Sequence, residues 1–564
     1  MFQQILDPLF GSLALSALVA VIPLATLFVL LGVFRVKAWK ASLVGLALSM
    51  ILAAVVWRMP VPQVISGSLE GALYGIVPIL WILVNALWIY RLTVVTGWFE
   101  VLGDRIRAIS DDQRILAIII AFCFGALLES LAGFGAPVAI SIAMLIAAGM
   151  APVKAAVVSL LANTAPVAFG AMAAPIIALS GVTGIDIHLL SQMAGRQTPF
   201  LAAFVPLILV LIVDGWRGVR QTWPVAVVAG IAFAVAQFVT ANYIAVEITD
   251  VVAAVVTMLA VLVMLRFWKP KNAVTAGHAG PGETADALGG PAEGRTATTV
   301  VKVTEATAHI DRSTRSSGNL TWNAVMPYVV IIAVFSISQL PPVKAFLAAH
   351  ATLSFAWPGL EITDSAGNAV GTAFKLGYIG TGGTLLLISG IIVAALYRMS
   401  ARSAVAAYGT TLHQLRFTIV TVVAVLALAY VMNLSGQTHT LGAALAATGG
   451  LFALLSPAIG WLGVAITGSD TSSNALFGLL QATTAEKVGL DPVLMAATNS
   501  SAGVLGKMLS PQNLAVAAAA AGMAGKEGDL FRRLIWWSLG LLVVFTALIY
   551  LQSTPILGWM VPTS

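Results

Sequence analysis

Charge-free apolar runs recur along the whole chain and set its expected elements. In the first part they cover residues 8–34, 41–57, 71–90, 130–153, 155–185 and 221–246, with a shorter run at 251–265 rich in Val, Leu and Met. Later runs cover 316–343, 376–397 and 417–469, and a last one lies within 534–551. The 417–469 run divides in two at its polar middle, Asn433-Leu-Ser-Gly-Gln-Thr-His439. A helix needs about 20 mostly apolar residues to cross a hydrocarbon core. With shorter pieces at 115–128 and 197–213, the pattern predicts an all-α polytopic membrane protein of about 12 to 14 transmembrane elements.

Composition narrows this further. Only 9% of the 564 residues are charged, against about 25% in soluble globular proteins. That excludes a cytosolic enzyme, a disordered chain and a secreted disulfide scaffold; the single cysteine, Cys123, reads as a small buried hydrophobe. The net charge of +6 does not point to nucleic acid, because the basic residues sit mostly in short loops. Arg35, Lys37 and Lys40 form one such group, Arg105, Arg107 and Arg114 a second, and Arg398, Arg402 and Arg416 a third. By the positive-inside rule these loops are cytoplasmic and the N-terminus lies outside. Residues 1–13 lack a basic n-region and lead into an apolar run, which reads as an uncleaved first span. Residues 269–322 carry 11 charges among Gly, Pro, Ala and Thr, the chemistry of a flexible linker. They divide the chain into an N-terminal membrane half, 1–268, and a C-terminal membrane half, 323–564.

Two polar segments interrupt apolar sequence. One is Leu127-Leu-Glu129-Ser130-Leu-Ala-Gly-Phe-Gly-Ala-Pro137, within an expected hairpin near 115–149. Its Gly-x-Gly-x-Pro interior cannot stay regular helix. The other is Thr467-Gly-Ser469-Asp470-Thr471-Ser472-Ser-Asn-Ala-Leu-Phe-Gly478, within a second expected hairpin near 451–485. Irregular backbone at membrane depth is tolerated only beside protein or a water-filled cavity, and broken helices of this kind form binding sites in transporters. Each segment runs from an acid to Phe-Gly, and each is followed by an Asn-containing element: Asn163-Thr164 through Gly170 to Pro175, and Asn499-Ser500 through Gly506 to Pro511. The shared order predicts two inverted structural repeats.

Ionisable groups inside spans are costly and mark pathways. Glu129 and Asp470 are candidate proton carriers. Lys507 requires an anion, supplied by Glu129, by Asp470 or by a substrate. Asn163, Thr164, Asn499, Ser500, Ser130, Ser469, Thr471 and Ser472 offer hydrogen bonds to a carboxylate or hydroxyl. His439 is a candidate proton relay, although a loop position between two helices fits it better, and Glu70 reads as interfacial. The other histidines show no metal-ligand spacing. No phosphate-binding loop and no Gly-x-Ser-x-Gly elbow occurs, and Pro511 breaks the helix that a Lys507–Ser510 dyad would need. These features favour a secondary carrier without a cofactor, with a pore or a membrane enzyme as the other classes.

At these motifs the sequence resembles the L-lactate permease family of bacterial secondary transporters. The strings that carry the likeness are Leu128-Glu-Ser-Leu-Ala-Gly-Phe-Gly-Ala-Pro-Val138, the 467–478 segment and Asn499-Ser-Ser-Ala-Gly-Val-Leu-Gly-Lys-Met-Leu-Ser-Pro-Gln512. Asp111-Asp-Gln-Arg114 and Asn163-Thr-Ala-Pro166 also fit, and the likeness runs from about residue 10 to 550. The resemblance implies proton-coupled uptake of L-lactate, D-lactate or glycolate across the bacterial cytoplasmic (inner) membrane. It also implies two helical hairpins in a mobile transport domain, beside a scaffold that dimerises among membrane lipids. Lys507 would pair with the substrate carboxylate, and Asp470 or Glu129 would take the proton. A sodium-coupled carboxylate or dicarboxylate carrier is the alternative.

Overall fold

The computed structural model describes residues 2–34, 36–133, 135–274, 317–371 and 373–562. Most of the 269–322 linker and Phe134 of the first polar segment lie outside these residues. Among the described residues nine helices are long and apolar enough to cross a membrane, or up to 11 when each of two bent pairs counts as one span. The 12 to 14 elements expected from charge-free runs count broken and short pieces separately. One of the nine helices, Ile187–Tyr243, is 57 residues long, which would be roughly 85 Å as a straight helix. It turns back on itself at Asp214 and Gly215, whose backbones leave the helical region. Gly195 then faces Ala241, and a Cβ on Gly230 would come 2.1 Å from the Ala203 carbonyl oxygen. The run is therefore an antiparallel pair with backbones in contact, as the charges from Asp214 to Arg220 lead one to expect.

Arg114 fastens this turn. It is expected in a loop, yet it is fully buried. Its guanidinium donates to Asp112 at 2.7 and 3.0 Å, to Asp214 at 3.0 Å, to Gln221 at 2.7 Å and to the Asn272 carbonyl at 2.6 Å. Five donors in a planar fork suit such a hub, which lysine cannot replace. Glu70, expected at the interface, is also buried, on the Val61–Tyr74 helix. His439 lies on a short helix, Gln437–Leu445, because Gly436 takes a left-handed turn and starts a new helix where a loop is expected.

Strands are few among the described residues. Thr352–Ala356 pairs antiparallel with Ala373–Gly377. Phe2–Gln3 pairs in parallel with Ile362–Thr363, and the Gln4 side-chain amide donates to the carbonyls of Asn433 and Leu434 at 2.9 and 3.0 Å.

Candidate functional site

Eight helices in two sets of four build the site. In the first set, α1 (Gly125–Ala132) is parted from α2 (Ala136–Ala147) at residues 133–135, and α3 (Pro152–Ala162) from α4 (Gly170–Thr183) at 163–169. In the second, α5 (Phe452–Thr467) is parted from α6 (Asp470–Val488) at Gly468 and Ser469, and α7 (Pro492–Lys507) from α8 (Pro511–Ala520) at 508–510. The glycines at the first and third interruptions, Gly133, Gly135 and Gly468, have φ values of +47°, +84° and +73°. These are conformations that side chains disfavour. Pro511 opens α8 after Ser510, whose hydroxyl accepts from the Asn513 N–H.

The interruptions meet. Gly135 packs against Asn513 and Val516 of α8, and Gly468 faces Ser510 and Gln512. The Asn474 amide on α6 donates to the Pro175 carbonyl on α4 at 3.1 Å. Small residues let α5 and α7 cross closely: Gly460 lies against Asn499 and Gly506 against the Trp461 carbonyl.

At this junction Lys507 donates to Glu129 in a buried salt bridge between the two sets. The other carboxylate oxygen of Glu129 accepts from the Asn163 amide at 2.9 Å, and Asn513 bonds the Lys507 carbonyl at 3.0 Å. Of the three anion sources open to Lys507 in the sequence, Glu129 is the one in contact. Asp470 sits in the first turn of α6, where the helix dipole favours a negative charge. One of its oxygens accepts from Ser500 at 2.6 Å, and the other is buried without a hydrogen-bond partner.

The remaining expected residues divide. Ser469 caps α6 by accepting from the Ser472 N–H at 3.2 Å, and Thr471 and Ser472 are buried beside it. Asn499 is a rigid strut: its amide donates to Asn474 at 2.9 Å and its oxygen accepts from Gln481 at 3.3 Å. Ser130 and Thr164 turn their hydroxyls back to the Leu127 and Leu161 carbonyls, at 2.8 and 2.7 Å. His439 has a buried, unpartnered Nδ1, and no hydrogen bond joins it to Glu129, Lys507 or Asp470 among the described residues. The positions aligned in the two Asn elements differ in conformation. Lys507 ends a regular helix, whereas Ala171, Met172 and Ala173 form a buried left-handed turn with φ of 45°, 55° and 60°. Such a turn costs about 1–2 kcal/mol per residue. It adjoins Glu129, since a Cβ on Gly170 would lie 3.1 Å from the Glu129 carboxylate. Strain of this kind collects at functional sites.

Sequence reasoning passed over Asp250 and Gln237. Asp250 reads as a loop charge between two spans, but it is fully buried and accepts from the Gln237 amide at 2.9 Å. A glutamine and Thr198 inside apolar runs were the available signal. One cavity of about 460 Å³ is lined by residues 3–7, Leu13, Ser365 and Ala443, and another of about 560 Å³ by mostly apolar residues between 227 and 256; neither reaches the salt bridge.

Residues 16–556 match the family described as L-lactate permease. The chain is 41% identical over 580 residues to the L-lactate permease of Bacillus subtilis, covering all of both chains. It is 40% identical over 563 residues to the glycolate permease GlcA of Escherichia coli, covering 98% of each. To the L-lactate permease of Escherichia coli it is 37% identical over 578 residues, again covering all of both.

Proposed function

The chain belongs to the L-lactate permease family, and from that premise we propose that it carries L-lactate and related 2-hydroxymonocarboxylates such as glycolate across the bacterial inner membrane together with a proton. The observation that carries this reading is the buried Lys507–Glu129 pair, one partner from each membrane half. A substrate carboxylate has the same chemistry as the Glu129 side chain and competes with it for the Lys507 ammonium. Asn163, Thr164 and Ser130, all close to Glu129 in sequence or contact, then turn towards the substrate's carboxylate and 2-hydroxyl, with Asn499, Ser500 and the α6 N-terminal residues Ser469, Thr471 and Ser472 on the opposite side.

Displacing Glu129 from Lys507 leaves a carboxylate in a dry site with one amide donor. An unpaired buried charge is strongly unfavourable, so displacement proceeds with protonation of Glu129. One substrate charge thereby enters with one proton. The neutral pair avoids the cost of about 2.3 kcal/mol for moving one charge through 100 mV. Asp470, already hydrogen-bonded to Ser500, is the second acid in reach of this exchange.

Purified protein in proteoliposomes tests the reading. An inward proton gradient is expected to drive L-lactate uptake, and replacing Na⁺ by choline at fixed pH is expected to leave it unchanged. Glu129→Gln is expected to exchange labelled lactate across the membrane yet lose accumulation against a gradient by tenfold or more. Accumulation at the wild-type level in both Glu129→Gln and Asp470→Asn would remove these acids from the coupling. Uptake that follows Na⁺ would replace the proton altogether.

A further inference from the structure

Three carboxyls lie buried around this junction, Glu129, Asp250 and Asp470, and Lys507 is the one ammonium among them. Their surroundings are unequal. Glu129 has Lys507 and the Asn163 amide. Asp470 has the Ser500 hydroxyl, the first turn of α6 and Lys507 within electrostatic reach. Asp250 also sits in the first turn of its helix, Thr249–Phe267, but its one side-chain donor among the described residues is the neutral Gln237, and its Oδ2 is buried with no partner.

Gln237 is held so that it cannot offer more. Its oxygen accepts from Thr198 at 3.1 Å, and its amide is shared between Asp250 at 2.9 Å and the Ala165 carbonyl at 3.3 Å. That carbonyl belongs to the α3–α4 interruption, two residues from the Asn163 that holds Glu129.

The charges facing Asp250 do not help it. Its own helix, Thr249–Phe267, packs against α1, against the stretch 117–124, against Ile187–Tyr243, and against α4 and Ser317–Ser338. Cys123, His188, Arg196, Tyr243 and Tyr328 are titratable groups on those elements, and Arg266 stands in the last turn of the Asp250 helix itself. Glu129 lies on α1, which packs against the Asp250 helix, and it is a second acid there, not a cation. Arg196 is engaged by Asn242 and the Met560 carbonyl, the charges from Asp214 to Arg220 sit at the far turn, and Glu247 packs on Gly382. A carboxylate without a cation, beside another carboxylate, is costly in a dry interior, whereas a neutral carboxyl leaves only one orphan hydroxyl.

Resting on the proton-coupled reading above, we infer that Asp250 holds a proton in the substrate-free carrier and passes it to Glu129 when a substrate takes Lys507. The O–H bond at Asp250 breaks, one forms at Glu129, and Asp250 is left as the anion that recharges from the proton-rich side. The carrier is thus loaded with its proton before its substrate.

Proteoliposomes again give the test. Asp250→Asn is expected to keep measurable lactate counterflow while gradient-driven accumulation falls at least tenfold, and Asp250→Glu is expected to restore accumulation. Gln237→Leu, which removes the donor without touching the acid, is expected to move the pH midpoint of driven uptake upward and serves if Asp250→Asn fails to fold. Wild-type accumulation by Asp250→Asn, or an unmoved midpoint in Gln237→Leu, overturns the assignment to Asp250 alone. A wild-type protein indifferent to the proton gradient overturns the coupling reading itself, and Asp250's role with it.

Discussion

Lys507→Ala is expected to abolish lactate counterflow and to destabilise the protein together. The ammonium is buried against Glu129, so its removal does more than delete a contact. Among the described residues Glu129 is left with the Asn163 amide as its one remaining hydrogen-bond donor, in a buried site. Breaking one side of a buried ion pair costs about 3–5 kcal/mol, because the surviving charge has no compensation. Thermal unfolding of the detergent-solubilised protein measures that cost, and counterflow measures the function. The double variant Glu129→Gln with Lys507→Ala separates the two: with no charge left to strand, it is expected to recover most of the lost stability and none of the transport. Lactate affinity unchanged in Lys507→Ala would show that the ammonium never meets the substrate.

Gly506→Ala is expected to prevent the α5–α7 crossing. A Cβ there would sit 2.1 Å from the Trp461 carbonyl oxygen and 2.9 Å from the Ala465 nitrogen, both backbone atoms. Neither can swing aside, and Trp461 is tied further by its indole N–H to Ser538 at 2.8 Å, with Ser538 donating to the Leu505 carbonyl at 2.7 Å. Overpacking a well-filled interior costs about 1–3 kcal/mol where side chains can yield, and more here where they cannot. Size-exclusion chromatography should show little monodisperse Gly506→Ala protein. Gly540→Ala, whose Cβ would meet nothing within 4 Å, should purify like the wild type. Equal yields and melting temperatures for the two would refute the packing account.

Single residues show how far the chain announces itself. Glu129, Asp470 and Lys507 are visible as charges inside apolar runs, because hydrocarbon makes a charge expensive whatever the fold. The interruptions at Gly133–Gly135 and Gly468 are visible because glycine and proline act locally. The pairing of Lys507 with Glu129 is not visible, since the two stand 378 positions apart and an anion requirement does not say which anion. Arg114 and Asp250 look like loop charges, and only packing shows that each is enclosed. The left-handed turn at Ala171–Ala173 has no local signal at all: alanine and methionine favour helix, and the surrounding contacts impose the conformation. The similarity of the two Asn elements is one of sequence order, and their backbones part at Ala171 and Lys507.

The pairing of residues 2–4 with distant sequence has a consequence for biogenesis. Gln4 meets the Asn433 carbonyl across 429 residues. At roughly 5–20 residues per second, synthesis keeps that glutamine waiting on the order of 20–90 s before its partner exists. Residues 2–4 therefore cannot take up their final contacts until residues 362–434 have been made, so a tag placed there is expected to act on assembly more than on membrane insertion.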